Sequence, residues 1–249
     1  MLNKLLKDFL PKWVLKTVRL IKTNNMSRKL RGLSTKEIFS KVYKDQLWGN
    51  SYDGIECFYS GIGSHDESVV SSYVKSVSVF LSKLQEKPNV VDLGCGDFNV
   101  GSRLRGLCSG YIACDIVPEL IERNKIKYKD ANVEFQVLDL VTDDVPKSDV
   151  LFIRQVLQHL SNRQIQNIVS KLPSLCKYLI LTEHLPKMTI FVANIDKPSG
   201  PDIRLLRDSG VVLTDAPFNL RVLSTTLLCE VENGDGLIRT ILYEFKSTW

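Results

Sequence analysis

The sequence predicts an α/β fold built around a mostly parallel, doubly wound sheet. From residue 89 onward, short apolar runs alternate with helical stretches, a pattern typical of parallel strands that are covered on both faces. The first run leads into a turn rich in glycine, and the chain ends in two strand-like segments joined by an Asn-Gly-Asp-Gly turn, which predicts an antiparallel hairpin. The predicted parallel strands cover residues 89–93, 111–114, 133–138, 149–153 and 178–182.

Composition predicts a globular protein of the reducing cytoplasm. The chain has 249 residues, of which 44% are hydrophobic and 24% charged, as in ordinary globular domains. No run of 18 apolar residues is present, so we expect no membrane-spanning helix. The six cysteines form no C-x-x-C pair and no zinc-type cluster with histidine, which indicates reduced thiols and no metal site.

The positive charge is concentrated at the N-terminus. Residues 1–50 hold 12 Lys/Arg and three acidic residues, whereas the other 199 residues hold 21 Lys/Arg and 25 acidic residues. Within 1–22 the apolar residues follow a helical stripe, with Pro11 expected to kink the helix or start a second one. A basic amphipathic helix of this kind can lie on an anionic membrane surface, or it can pack on the protein's own body or on a partner subunit.

Three segments follow from these patterns. Residues 1–50 are predicted to be a basic helical extension, in which Ser34 and Glu37 form a capping box for a short helix. Residues 51–88 combine a Gly/Ser/aromatic lid segment with a helix from about 66 to 85. Residues 89–249 form the α/β core, which would bind a cofactor.

The glycine turn of the core, VVDLGCGDF, distinguishes between cofactors. Gly94 and Gly96 match the first two glycines of a dinucleotide turn, but Asn99 replaces the third. Asp92 and Asp97 flank the place where a pyrophosphate would lie, and their like charge disfavours it. S-adenosylmethionine carries no phosphate and has positive charge on its amino group and its sulfur, so it suits the same carboxylates.

The turn resembles motif I of the class I S-adenosylmethionine-dependent methyltransferases, and the resemblance extends from about residue 85 to the C-terminus. It implies a Rossmann-like, seven-stranded sheet with a reversed strand near the end. Phe98 departs from the small residue usual at its position, and we expect it to narrow the pocket. The resemblance implies an acid at the ribose, Asp115, and another near the adenine, Asp139. The complete set of cofactor-binding candidates is Asp92, Gly94, Cys95, Gly96, Asp97, Asp115, Ile116, Asp139, Leu140, Arg154 and Gln155.

Some of these residues, and two histidines that are candidates for catalysis, also have interpretations that involve no ligand. Asp115 could cap a helix, and Asp139 could belong to a surface turn. His159 could be a core or capping histidine, and His184, at the predicted end of the fifth strand, could face the cleft or solvent. Each alternative predicts a different surrounding in the structure.

Methyl transfer to a hydroxyl needs alignment and a base that takes the proton. We expect His159 to be that base, with His184 as the second candidate. Metal-assisted transfer would require a carboxylate set, and the acids near 139–149 do not form a recognisable one.

Two segments are predicted to bind the acceptor. The first, residues 47–65, contains aromatic and polar side chains, and the second, residues 194–220, contains acidic and basic ones; both compositions suit a carbohydrate or another small polar molecule. Motifs of nucleic-acid methyltransferases, an (N/D/S)-P-P-(Y/F) sequence or a Pro-Cys nucleophile, do not occur. The predicted acceptor-binding residues are Trp48, Tyr59, His65 and Arg204.

These observations favour an S-adenosylmethionine-dependent O-methyltransferase of a sugar or glycan hydroxyl. The arrangement of the first half also resembles small bacterial methyltransferases of surface-glycan pathways. Such a protein would be cytoplasmic, with peripheral contact at the inner membrane surface through residues 1–22, and would not bind nucleic acid. The alternatives are N- or O-methylation of another small molecule or a protein, and a non-catalytic cofactor-binding module. The oligomeric state is left open.

Overall fold

A computed structural model describes residues 11–50 and 58–246 of the chain. Its centre is a seven-stranded sheet in the order β3-β2-β1-β4-β5-β7-β6, in which β7 alone runs antiparallel to both of its neighbours. This confirms the predicted α/β, Rossmann-like fold with a C-terminal antiparallel hairpin. The strands are β1 (Asn89–Leu93), β2 (Gly110–Asp115), β3 (Glu134–Val137), β4 (Ser148–Arg154), β5 (Cys176–Pro186), β6 (Ser224–Asn233) and β7 (Gly236–Glu244).

The helices begin where the sequence supplies caps. The Ser34 hydroxyl accepts a hydrogen bond from the Glu37 N–H while the Glu37 side chain accepts one from the Ser34 N–H, so the predicted capping box is present. A second capping box joins Ser161 and Gln164. The helices are α1 (Lys12–Lys29), α2 (Thr35–Lys44), α3 (Glu67–Ser82), α4 (Pro118–Lys127), α5 (Asn162–Val169) and α6 (Leu172–Leu175).

Hydrophobic clusters cover both faces of the sheet. On one face, α3 packs through Tyr73 and Val77 against residues of β1, β2 and β4. On the other face, Ile38 and Val42 of α2 lie in the same cluster as Leu93 of β1. Since α2 is buried against the central strands, it helps to form the core, although the sequence assigned it to an extension.

Strand β5 is longer than predicted. It continues to Pro186 because β7 pairs with it from Tyr178 to Pro186, and the hydroxyls of Thr182 and Thr240 hydrogen-bond across the pair at 2.9 Å. Glu183 and His184 therefore lie within the strand, where the sequence placed them at its end.

Helix α1 begins directly after Pro11, as one of the two predicted effects of that proline. It lies on the protein's own body, where Lys16 pairs with Asp208 and Arg19 pairs with Asp235 at 3.4 Å. Residues 1–10 and 51–57, which carry parts of the predicted amphipathic helix and lid, lie outside the described residues. Among the helices that are described, none is both long and apolar enough to cross a membrane.

Candidate functional site

A cavity of about 700 Å³ opens at the carboxyl ends of β1, β2 and β4. Strand order reverses between β1 and β4, and ligands of open α/β sheets bind at such a reversal. The volume lies within the range of small-molecule and cofactor sites. The ends of the central strands form one part of its wall, and α1, α2 and residues 201–206 form another.

The glycines of the first turn are required by conformation and by space. Gly94 and Gly96 have φ of +75° and +56°, in the left-handed region. A Cβ on Gly94 would lie 2.4 Å from Cγ2 of Val156, and one on Gly96 would lie 2.4 Å from Oγ of Ser60. Because no side chain intervenes, the backbone of the turn itself lines the cavity, together with Cys95.

Phe98, also at a positive φ of +61°, was expected to narrow the pocket, and this expectation is wrong. Its ring lies on the opposite side of the turn, edge-on to the rings of Tyr111, Tyr128 and Phe135 at centroid distances of 5.4, 5.1 and 5.1 Å. The residue anchors the turn in the core and does not line the cavity.

Asp92 lines the cavity from the end of β1. Its Oδ2 accepts a hydrogen bond of 2.9 Å from the Tyr111 hydroxyl. Burial raises the pKa of Asp92 to about 7, although the bond from Tyr111 and the charge of Arg154 act in the opposite direction. The carboxyl group therefore changes its protonation state near neutral pH and gains from any cation placed beside it.

Asp115 lines the cavity at the end of β2. Its oxygens accept hydrogen bonds of 3.1 Å from the N–H groups of Gly96 and Val117, so it connects the glycine turn to the start of α4. Burial raises the pKa of Asp115 to about 6 despite these bonds. Asp115 does not cap the helix, because Val117 is the N-cap residue and no side chain caps α4. Each oxygen of Asp115 keeps a second lone pair for a ligand.

Three more of the predicted cofactor-binding residues line the cavity. They are Asp139, which was predicted beside the adenine, and Ile116 and Leu140. Oδ1 of Asp139 accepts a hydrogen bond of 2.9 Å from the Val141 N–H, so its local turn role is present as well. Apolar side chains on both sides of this carboxyl give a flat base a surface to pack against.

Asp97 binds protein groups with both of its oxygens. Oδ2 contacts the Ser60 N–H at 3.0 Å and Nε2 of His65 at 2.6 Å, and Oδ1 accepts from the Asn99 N–H at 3.1 Å. Burial alone would raise the pKa of Asp97, but the bond and charge of His65 lower it. Asp97 therefore fastens segment 58–66 over the glycine turn.

Arg154, at the end of β4, holds the same segment from the other side. Its guanidinium donates to the Gly63 carbonyl at 2.6 Å and to the Ser64 hydroxyl at 3.2 Å, and it lies 5.1 Å from the ring centre of Tyr73. Its Nε is buried and has no hydrogen-bond partner among the described residues. Gln155, at φ +57°, lines the cavity next to it.

His159 lies on the short turn after β4, between protein groups on three sides. Its Nδ1 is 3.2 Å from the Gly200 carbonyl, and its ring contacts Trp48 at a centroid distance of 5.0 Å. Burial, reinforced by the charge of Lys197, lowers the pKa of His159 to about 3. A neutral ring that donates from Nδ1 leaves Nε2 as an acceptor, with the Gln158 amide 3.4 Å away.

His184 lines the cavity from within β5. Its Nε2 is 3.0 Å from the Asn233 carbonyl, and burial lowers its pKa. The neighbouring Glu183 points elsewhere: its Oε1 accepts a hydrogen bond of 3.1 Å from the Leu157 N–H, and burial raises its pKa to about 8. Both strand residues support the turn that carries His159, since the His184 N–H donates to Oε1 of Gln158 at 3.3 Å.

The predicted acceptor-binding residues separate into three groups. Trp48 lines the cavity and donates to the Pro201 carbonyl at 3.2 Å. Tyr59 stacks on His65 at a centroid distance of 4.5 Å within segment 58–66, and neither ring is among the residues that line the cavity. Arg204 requires correction, because its side chain is completely buried and donates to the carbonyls of Leu157, Gln158, Leu160 and Ile195 and to Asn162. It braces the turn after β4 and does not reach the cavity.

Several cavity residues were not predicted. Arg19, Lys22 and Met26 of α1 and Phe39 of α2 line it, and Tyr43 does so while hydrogen-bonding Ser60 at 3.1 Å. Helical periodicity marked their faces as apolar or mixed but gave no sign of what those faces contact. Across residues 11–50 and 58–246, no group of three or more His, Cys, Asp or Glu is placed to hold a metal ion.

Comparison with protein families identifies the central part of the chain. Residues 90–178, which include β2 to β4 and all of β1 except its first residue, match a family described as a methyltransferase domain. The match includes the glycine turn, Asp115, Asp139 and Arg154. A sequence search among curated proteins gave no match.

Solved structures share the fold at low sequence identity. The magnesium protoporphyrin IX methyltransferase of Synechocystis PCC 6803, solved with bound S-adenosylmethionine, is 18% identical, with a TM-score of 0.56 over 87% of this chain and 99% of that one. The N-methyltransferase NodS of Bradyrhizobium japonicum WM9, in complex with S-adenosyl-l-homocysteine, is 13% identical, with a TM-score of 0.52 over 71% and 87%. Residues 90–178 thus match a methyltransferase domain, and the sheet as a whole shares the Rossmann-like fold of these structures.

Proposed function

We propose that the protein is an S-adenosylmethionine-dependent methyltransferase that acts on a hydroxyl group of a sugar or glycan. The observation that carries the proposal is a single cavity whose two ends are lined by different kinds of side chains. Asp92, Asp115 and Asp139 line one end, where the motif match lies, and aromatic and polar side chains of α1, α2 and residues 201–206 line the other. One cofactor and one acceptor can therefore meet within it.

The first end fits the cofactor chemically. Asp115 has free lone pairs for two ribose hydroxyls, and Asp92 gains from a nearby ammonium because burial disfavours its charge. The positive charge of Arg154, in the same wall, suits a carboxylate. Bound S-adenosylmethionine supplies a methyl group on a positively charged sulfur, which is already activated for displacement.

The chain itself has to align the acceptor and accept its proton. In place of the Gln158 amide 3.4 Å away, Nε2 of His159 can accept the hydrogen bond of an acceptor hydroxyl, because Nδ1 faces the Gly200 carbonyl. A pKa of about 3 makes the ring a weak base, so we assign it orientation of the hydroxyl and proton acceptance late in the transfer. His184, in the same cavity, is the second candidate for this role.

The second end suits a molecule with both apolar faces and polar edges. Trp48 and Phe39 offer ring faces, while Thr35, Asp202 and Asn233 offer polar groups within the same wall. Sugars bind on such surfaces, where a ring stacks on an aromatic side chain and hydroxyls find polar partners. An amine of a different small molecule or a protein is the alternative acceptor, and a non-catalytic module would leave this end without a substrate.

The test uses S-adenosylmethionine labelled on its methyl group and the full-length protein. It is incubated with host extract separated into lipid-linked glycan, nucleotide sugars, RNA and protein, and the Asp92→Ala, Asp115→Ala double variant is the blank. We expect label in a saccharide fraction. Label in the protein or RNA fraction would show that the acceptor is not a saccharide. A lack of label with intact cofactor binding would favour a non-catalytic module.

Peripheral membrane contact through residues 1–22 is a separate part of the proposal. It is supported by exposed apolar residues of α1, Val18 and Ile21, beside its basic side chains. Removing residues 1–10 should reduce sedimentation with anionic vesicles and leave α1 on the body. If the full chain does not sediment with such vesicles at low salt, the membrane proposal is wrong.

A further inference from the structure

We propose that the acceptor carries an anionic group, a phosphate or a carboxylate, which binds to the face of α1 that lines the cavity. The inference rests on the proposed function, since it concerns the acceptor end of the same site. It specifies the sugar or glycan acceptor further: a sugar phosphate or a sugar acid fits, whereas a neutral sugar does not.

One face of α1 points into the cavity. Arg19, Lys22, Thr23 and Met26 line it, and their spacings of three, four and seven residues place them along a single helical stripe. Arg28, nine positions from Arg19, lies on the other side of the helix and is exposed. The two basic groups that face the cavity therefore stand one turn apart, as a pair that one anion can bridge.

The positive charge of this face is not neutralised by the protein. Arg19 pairs with Asp235 at 3.4 Å, but Lys22 forms no ion pair within residues 11–50 and 58–246. The acid that lines this end, Asp202, is already paired with Lys197 at 3.4 Å and Arg207 at 3.2 Å. Among the charged groups that line this end, Lys22 is therefore the one without a partner of opposite charge in the described residues.

The opposite end of the cavity has the opposite sign. Asp92, Asp97, Asp115 and Asp139 line it, and Arg154 is its basic residue among the lining groups described. An anion on the acceptor is repelled from this end and attracted to the solvent-exposed cations Lys22 and Arg19. This difference orients the acceptor with its anionic group at α1 and its other end towards His159 and the cofactor.

The experiment follows the methyl group of Met26, which lies on the same stripe. The chain has three methionines, and Met188, which is 58% exposed, serves as an internal reference outside the cavity. Full-length protein with ¹³C-methyl methionine is first saturated with S-adenosylhomocysteine. It is then titrated with glucose 6-phosphate and glucose, and separately with phenyl phosphate, benzoate and benzyl alcohol, which share an aromatic ring but differ in charge.

We expect the charged probes to shift the Met26 signal with at least about tenfold higher affinity than their neutral counterparts, as charge-assisted hydrogen bonds allow. The two phosphates and benzoate distinguish a phosphate from a carboxylate preference. Lys22→Gln should lower the affinity for the charged probes about fivefold, whereas the matched control Arg28→Gln should leave that affinity unchanged. Raising the salt concentration should also lower the affinity for the charged probes.

Equal affinity for charged and neutral probes would overturn the inference, and so would equal behaviour of Lys22→Gln and Arg28→Gln. A shift of Met188 without one of Met26 would place the anion outside the cavity and would overturn it as well. Failure of the proposed function is visible separately, because calorimetry of S-adenosylhomocysteine on the same samples then shows no cofactor binding.

Discussion

The two ends of the cavity are built in different ways. The cofactor end consists of strand ends and one glycine turn, all of which follow each other in the match over residues 90–178. The acceptor end brings together α1, α2, segment 201–206 and Asn233, which are far apart in the chain. Local sequence patterns can therefore describe the first end, whereas the second depends on how distant segments pack. The cofactor end therefore lies in the part of the chain that matches the methyltransferase domain, whereas the acceptor end is formed by segments outside that match.

The largest effect is expected for His159, which lines the cavity beside Trp48. His159→Gln should lower turnover by about a hundred- to ten-thousandfold, the range of general acid–base contributions, and leave cofactor affinity unchanged. Steady-state kinetics and calorimetry on the same preparation measure both. If turnover survives, His159 is a packing residue between Trp48 and Gly200, and His184→Gln becomes the test of the base.

Arg204→Met tests whether the wall of the acceptor end is a rigid part of the fold. The substitution keeps much of the volume but leaves several buried carbonyls without a donor, so the free energy of unfolding should fall by about 3 kcal/mol or more. Urea unfolding measures the change, with the partly exposed Arg207→Met as the control. Unchanged stability with a raised KM for the acceptor would restore Arg204 as a binding residue.

Asp115→Ala tests the cofactor end. Loss of hydrogen bonds to a charged acceptor should weaken S-adenosylhomocysteine binding by about 1.5–3 kcal/mol. Asp130→Ala, an exposed acid outside the cavity, is the control. Unchanged affinity by calorimetry would refute the assignment of Asp115 to the ribose, and thermal unfolding shows whether the variant keeps its fold.

The smallest effect is a pH dependence of cofactor affinity. In the free protein, burial raises the pKa of Asp92 to about 7 and that of Asp115 to about 6, whereas a bound ammonium favours the ionised form of Asp92. Affinity should therefore be highest above pH 7 and fall by up to about tenfold per pH unit below it, because binding then requires release of a proton. Asp92→Asn should abolish most of this slope between pH 6 and 7. A wild-type affinity that is flat from pH 6 to 8 would contradict the role of Asp92.

The same contrast explains what could be predicted from sequence. Strand periodicity and the Asp92–Gly94–Gly96 turn are local signals, so the sheet and the hairpin followed from them, and the remaining residues of the cofactor end came from the resemblance to the methyltransferase family. Arg204 was misplaced because one basic residue in a polar loop looks the same whether it faces a ligand or fills an interior. Arg19 and Lys22 could not be assigned because helical periodicity gives a face but not its neighbour. The length of β5 depended on its pairing with β7, a long-range contact.

The most direct test of the two-ended cavity is a crystal structure of the full-length protein with S-adenosylhomocysteine. We expect the ribose hydroxyls within hydrogen-bond distance of Asp115, the amino group near Asp92, and the sulfur facing the part of the cavity that holds His159 and Trp48. Ligand density against α1, with Asp92 and Asp115 free of contacts, would contradict the assignment of both ends.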